Sequence, residues 1–213
     1  APEAAVLASE GRARLERLRS SGIGSLISNG LANGSEQGAM IAAMEIGERE
    51  TPPFNGDERT TLAAWLDFQR HTLVLKCEGL DDTTLRTASA PPSSLTLQGL
   101  VQHLAEVERN WFQRVLGRRD APSIYGPAPA PGEHDGGFEL SEQVSFADAL
   151  DRWRAEVDAA HTICADHELD DVVPFMGTEV SARWIYLHMI GEYARHNGHA
   201  DILRERLDGA TGV

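Results

Sequence analysis

Several protein classes are excluded by what this sequence lacks. Only two cysteines, Cys77 and Cys164, occur among 213 residues. That rules out a disulfide-stapled scaffold and a multi-cysteine zinc site, and a reduced, cytoplasmic protein is the expectation. No apolar run approaches the roughly 20 residues that a membrane-spanning helix needs. No basic stretch followed by an apolar core opens the chain, so no secretory leader is expected. Basic residues are scarce as well. Lys and Arg total 19 against 33 Asp and Glu, for a net charge of −14. Nucleic-acid backbones and anionic membrane surfaces both bind through Lys and Arg. A chain this acidic is expected to bind neither.

Hydrophobic residues make up 41% of the chain, enough for one domain with a core and a tail. The tail is expected first. Up to Ala43, Arg12, Arg14, Arg17 and Arg19 balance Glu3, Glu10, Glu16 and Glu36, so the whole negative charge lies beyond. The segment is rich in Ala, Gly and Ser and has no long apolar face to offset its ordering entropy. Residues 1–48 are therefore expected to be a disordered or weakly helical extension, with Met44 as a candidate natural start. The folded domain is expected over residues 49–213.

Past Pro52 and Pro53 the pattern turns helical. Asn55 or Asp57 can cap a first helix that runs to about Glu78, with Gly79 behind it. Leu62, Trp65, Leu66, Leu73 and Cys77 recur at its apolar spacing. Residues 81–87 suit one short turn. Ser93 or Ser94 then opens a second helix to about Leu116, closed by Gly117. Residues 118–142 read as a long loop carrying Pro122, Pro127, Pro129 and Pro131. Ser145 with Asp148 resembles a capping box for a third helix to about His167. A short extended piece fits residues 172–180. The last helix runs from about Ser181 to Leu207, before Gly209. Four helices of comparable length without a set of strands indicate an all-α four-helix bundle.

The last helix carries the chemistry. His188, Glu192, His196 and His199 follow at steps of four, four and three. At 100° per residue they share a sector of about 80°. Ile185 and Leu203 lie in that sector, so the polar stripe points at the core. Burying imidazoles and a carboxylate without compensation costs several kcal/mol. A divalent ion is one compensation that suits them. His103 supplies a third donor from the second helix, on a stripe with Leu100, Val107 and Trp111. Three protein ligands leave one position for water or substrate. Spacing alone leaves a second arrangement open, with Glu192 paired to Arg195 or Arg183 and the histidines partly exposed. It also allows His196 with His199 as the pair, which makes His199 the reserve ligand.

Three segments carry a family likeness: FNGDERTTLAAWLDFQRHTLVLKCEGL, HLAEVERNWFQRVLG and HMIGEYARHNGHADILRERLDGATG. They resemble the mini-circle protein family of actinobacteria, within the DinB-like superfamily of four-helix metalloproteins. The resemblance covers about residues 52–213. It implies an up-down-down-up bundle with a divalent metal at one end. It further implies a ligand on the second helix, matched by His103, and a pair on the last. Many members carry His-x-x-x-His there. The related mycothiol-dependent maleylpyruvate isomerase carries Glu-x-x-x-His, which Glu192 to His196 matches. The resemblance then places His199 behind a ligand or facing the substrate. Gly191 departs from the family, where an acidic residue is common.

Three functions are consistent with this reading. The first is a transferase that activates a low-molecular-weight thiol, mycothiol, against an electrophile at a His103/Glu192/His196 site. The second is a metal-dependent hydrolase or isomerase with His188 or His199 as base. The third is a metal-stabilised bundle without activity. Zinc suits the donor set best, with nickel, iron and manganese as alternatives. A homodimer is compatible with any of the three. The long loop is a candidate cover for the site, able to supply Tyr125 or an arginine. Trp65, Trp111, Trp153 and Trp184 are read as packing residues, and Cys77 and Cys164 as small core residues. His71 and His161 have no evident partner in the sequence. His134 and His167 are read as solvated, residues 204–206 as an exposed helix end, and Asp201 as a carboxylate that orients a histidine or lies on the surface.

Overall fold

A computed structural model describes residues 49–126 and 136–212. The expectations for residues 1–48 and for His134 fall outside them. The elements are α1 (Glu58–Leu75), α2 (Asp82–Leu85), α3 (Leu97–Glu108), α4 (Phe146–Ala165), β1 (Val172–Phe175), β2 (Thr178–Ser181) and α5 (Ala182–Asp208). Local signals place most of the helix ends. Asp57 opens α1 by accepting from the Thr60 amide at 2.9 Å. Ser145 and Asp148 form a complete capping box on α4. Ser181 caps α5, and Gly209 closes it in the left-handed conformation at φ 79°.

Three expectations need correction. Helix α1 ends at Leu75, short of Glu78, and a turn carries the chain on to Gly79. Thr96, not Ser93 or Ser94, opens α3, accepting from the Gly99 amide at 3.0 Å. The α-helix also stops at Glu108. The chain continues without a break as a π-helix over Arg109–Leu116. That stretch buries Trp111, Phe112 and Leu116. Its Arg109 and Gln113 both reach Glu156 on α4. These demands come from neighbouring helices, and no local propensity encodes them. The extended piece is an antiparallel hairpin in which Val172 pairs with Ser181 and Phe175 with Thr178. Met176 and Gly177 both have positive φ, 47° and 82°, as a two-residue hairpin turn of primed type requires.

Contacts along the helices give their directions. Arg183 meets Glu58, and Asn197 meets Gln69, so α5 runs parallel to α1. Gln98 meets Val144, and Arg109 meets Glu156, so α3 and α4 run parallel. His103 meets His196, and Trp111 meets His188, so α3 and α5 are antiparallel. The result is the up-down-down-up bundle. Leu66, Leu73, Leu100, Leu104, Phe112 and Ile185 are among its fully buried side chains. Trp153 and Trp111 belong to this core, but Trp65 and Trp184 are 43% and 46% exposed. Cys77 and Cys164 are buried, and burial pushes the Cys77 thiol up to about 12. Such a thiol carries almost no nucleophilic thiolate near neutral pH.

A polar network crosses the middle of this core. Glu108 takes two bonds from the Arg70 guanidinium, at 2.8 and 2.7 Å. The Tyr193 hydroxyl donates to Glu108 at 2.7 Å and accepts from the Trp153 indole at 2.8 Å. Arg70 also reaches Asp67 at 2.8 Å, and His161 joins that carboxylate at 3.0 Å. Burial opposes the charge on Arg70, yet Glu108 beside it holds the guanidinium well above its ordinary value. His161 thus has the partners that the sequence did not reveal.

At the end of α5 Glu205 and Arg206 are exposed, as expected, while Arg204 is half-buried. Arg204 donates to the carbonyls of Lys76 at 3.1 Å and Glu78 at 2.7 Å, and Arg206 donates to that of Ser89. Asp201 pairs with Lys76 rather than with a histidine. His167 is half-buried and bonds the Ile163 carbonyl at 2.9 Å instead of standing in solvent. Among the described residues no helix is long and apolar enough to cross a membrane.

Candidate metal centre

Because α3 and α5 lie antiparallel, His103 meets the middle of α5. Glu192 and His196, one helical turn apart, face it there. Candidate ligand atoms of His103, Glu192 and His196 all lie within 4.8 Å of one another. The Glu192 Oε2 to His196 Nε2 distance is 3.5 Å. Two ligands on a tetrahedral ion with bonds of roughly 2.1 Å stand about 3.4 Å apart. The spacing of that pair and the chemistry of all three donors fit a divalent ion.

Neighbouring groups orient each imidazole. His103 is only 5% exposed. Its Nδ1 lies 3.0 Å from the Gly136 carbonyl. A carbonyl only accepts, so Nδ1 carries the proton and Nε2 keeps its lone pair for the site. Phe138 stacks on the same ring at 4.0 Å and 17°. Between them, Gly137 has φ +98°, and a Cβ there would stand 2.9 Å from the His103 backbone. Only glycine fits that approach. The returning half of the long loop therefore holds His103. The outgoing half is held separately, by Glu106, which accepts from the amides of Ile124 at 2.6 Å and Tyr125 at 2.7 Å. The Tyr125 ring lies under Arg152 of α4, 5.3 Å from the guanidinium carbon.

His196 is 6% exposed. Burial lowers it to about 3, and His103 and His199 push in the same direction. The ring is neutral at physiological pH, the form a metal takes. With Nε2 towards Glu192, its Nδ1 stands 3.4 Å from His199 Nδ1. His199 thus sits behind His196 rather than among the three converging donors. His188 shares their sector on α5 but stands among aromatic rings, 4.4 Å from Trp111 and 4.9 Å from Trp184.

The second arrangement is met in part: Arg195 pairs with Glu192, and His188 and His199 are half-buried. Arg183 pairs with Glu58 and Asp170, not with Glu192. His103 and His196 are buried, not partly exposed. Arg195 approaches Glu192 at 3.5 Å, from a side chain 65% exposed. Gly191 leaves the geometry untouched, since a Cβ there would meet nothing within 4 Å. Sequence reasoning missed Gly136, Gly137 and Phe138. The paired glycines in a proline-rich loop were the available signal. Glu106 gave none, since a charged residue one turn from His103 reads as surface.

No curated protein matches the chain. A family model described as mycothiol-S-transferase matches residues 61–209, which include all five helices but for the first turn of α1. With the match spanning well over half of its length, and with the fold of the DinB-like superfamily, this chain belongs to the mycothiol-S-transferase family.

Proposed function

We propose that this protein joins mycothiol, through its sulfur, to an electrophilic carbon at a divalent ion that His103, Glu192 and His196 would hold. The convergence of those three donors from α3 and α5 carries the reading, in a chain of this family. The likeness to mini-circle proteins supports the same thiol and an actinobacterial setting. A divalent ion held there would lower the pKa of a bound thiol and so supply thiolate at neutral pH.

The residues divide the remaining work. His103 and His196 offer Nε2, and Glu192 offers a carboxylate oxygen, which leaves room for one further ligand. Gly136 keeps His103 in the right tautomer, and His199 accepts from His196 Nδ1 for the same purpose. Phe138 covers the His103 ring and keeps water from that side. In the reaction the S–H proton passes to solvent. A carbon–sulfur bond forms as the bond from carbon to its leaving group breaks, and the leaving group departs with the electron pair. Zinc suits two imidazoles and a carboxylate, and nickel, iron and manganese share the donor preference.

The test is elemental analysis of the purified protein beside His103→Ala and His196→Ala, followed by mycothiol conjugation to a fluorogenic alkylating agent. About one ion per chain in the parent, lost in both variants, with mycothiol-dependent conjugation, is the expected result. No bound ion after zinc, nickel and manganese are offered would overturn the proposal. Turnover without any thiol would move the site to metal-dependent hydrolysis or isomerisation.

A further inference from the structure

One turn of α5 before the three donors begins a group of packed rings. Trp184 stacks flat on His188, at 4.9 Å and 9°. Trp111 tilts against both, 5.3 Å from Trp184 and 4.4 Å from His188. Phe175 of the hairpin closes on Trp111 at 5.1 Å. These rings come from the π-helical stretch and, some sixty residues or more further on, from β1 and the first turns of α5. Trp184 is 46% exposed, with Leu187 at 55% and Met176 at 84% also in water. Single exposed apolar side chains are ordinary, whereas a pinned cluster is an unusual surface to leave open.

Its position ties it to the candidate metal centre. His188 precedes Glu192 by one turn of α5, a rise of about 6 Å. Trp111 follows His103 in the π-helical stretch that continues the antiparallel α3. Both helices therefore carry their rings on the same side of the three donors. We propose that Trp184, supported by His188, Trp111 and Phe175, is the subsite for the electrophilic substrate, and that it selects molecules whose reactive carbon bears a flat aromatic or conjugated group. This rests on the transferase reading above. A ring face presents a quadrupole that a second flat ring matches by offset stacking. Leu187, one turn of α5 beyond Trp184, and Met176, next to Phe175 in the chain, are exposed and apolar. They suit an aromatic molecule better than the hydroxyl-rich sugar part of a thiol, which would call for hydrogen-bonding side chains.

The test uses Trp184→Ala, since a half-exposed side chain can be truncated without opening the core, with Trp184→Phe as the conservative partner. Calorimetry measures binding of 2,4-dinitroaniline, a flat and unreactive ring. Zinc content is recorded for each protein. Conjugation by mycothiol is then compared for 1-chloro-2,4-dinitrobenzene and chloroacetamide as a ratio of kcat/KM. Trp184→Ala is expected to weaken ring binding about fivefold and to lower that ratio about fivefold, with zinc content at the parental level. Trp184→Phe is expected to recover most of both. Ring binding unchanged in Trp184→Ala would overturn the proposal. So would weaker binding of mycothiol itself with the ring compound unaffected, because the surface would then belong to the thiol. Absence of thiol transfer with the fivefold binding difference in place would count against the transferase reading alone and leave the ring subsite standing.

Discussion

Two polar clusters lie within one bundle and are completed in different ways. In the Arg70–Glu108–Tyr193–Trp153 network the bonds are 2.7–2.8 Å and close on one another. Each charge faces a partner of opposite sign or a hydroxyl, so the protein itself supplies the compensation. In the His103–Glu192–His196 cluster Glu192 and His196 stand 3.5 Å apart, and the atoms that converge are all potential electron-pair donors to a cation. Gly136 and His199 lie behind the imidazoles, and Arg195 approaches Glu192 from outside. The difference separates a network whose bonds close on one another from a group of donors that could share a cation. Burial alone does not distinguish them, since both lie almost wholly out of water.

The sharpest test of that contrast removes one partner from the closed network. Glu108→Ala strands the Arg70 guanidinium in the core and is expected to cost about 3–5 kcal/mol in urea unfolding. Replacing both, Arg70→Met with Glu108→Leu, is expected to recover most of this, because an apolar pair of similar volume often matches a buried ion pair. A double variant as unstable as the single would assign the stability to Tyr193 and Trp153 instead. The open cluster is expected to respond in the opposite sense. His196→Ala should lower zinc affinity by about a hundredfold or more in competition with a chelator. It should also disturb the metal-stripped protein less than Glu108→Ala does. Equal losses of stability would erase the distinction.

The backbone behind the cluster gives a smaller effect. Gly137→Ala forces a strained φ and a clash with the His103 backbone, at about 1–3 kcal/mol, and is expected to weaken zinc binding about tenfold. Gly191→Ala is the control. It fills open space on the exposed face of α5 and is expected to raise stability by about 0.5–1 kcal/mol. Thermal unfolding and zinc titration of the pair decide both.

The rim of the closed network gives the smallest effect. Burial raises the Asp67 carboxyl, but the His161 bond and the Arg70 charge outweigh it and hold it at about 2. A depressed carboxyl contributes its full stability above the unfolded value of about 3.9 and loses it as pH falls through the folded one. The melting-temperature gap between the parent and Asp67→Asn is therefore expected to be constant above about pH 5 and to close towards pH 2. A gap that persists at pH 2 would remove the ionised carboxylate from the account.

Much of this was legible beforehand. The cap at Asp57, the capping box of Ser145 with Asp148, and the terminal Gly209 are local signals, and each stands where its chemistry put it. The four-step spacing on α5 brought Glu192 and His196 to one face, and the stripe on α3 brought His103 to the core. His188 and His199 show the limit of angular spacing. They share the sector, but distance along the axis sets one among tryptophans and the other behind His196. Arg70 and Glu108 carried no signal, because no periodicity announces that two charges will be buried against each other.

The sequence by itself determined the helices, their caps and the inward polar stripes, because each depends on residues within a turn or two of one another. The tertiary structure alone decided which charges close into a network, where α3 widens into a π-helix, and how Gly137 and Phe138 reach His103. Those outcomes depend on side chains distant in the chain, which come within bonding distance only when the antiparallel packing of α3 on α5 and the return of the loop set the register between them.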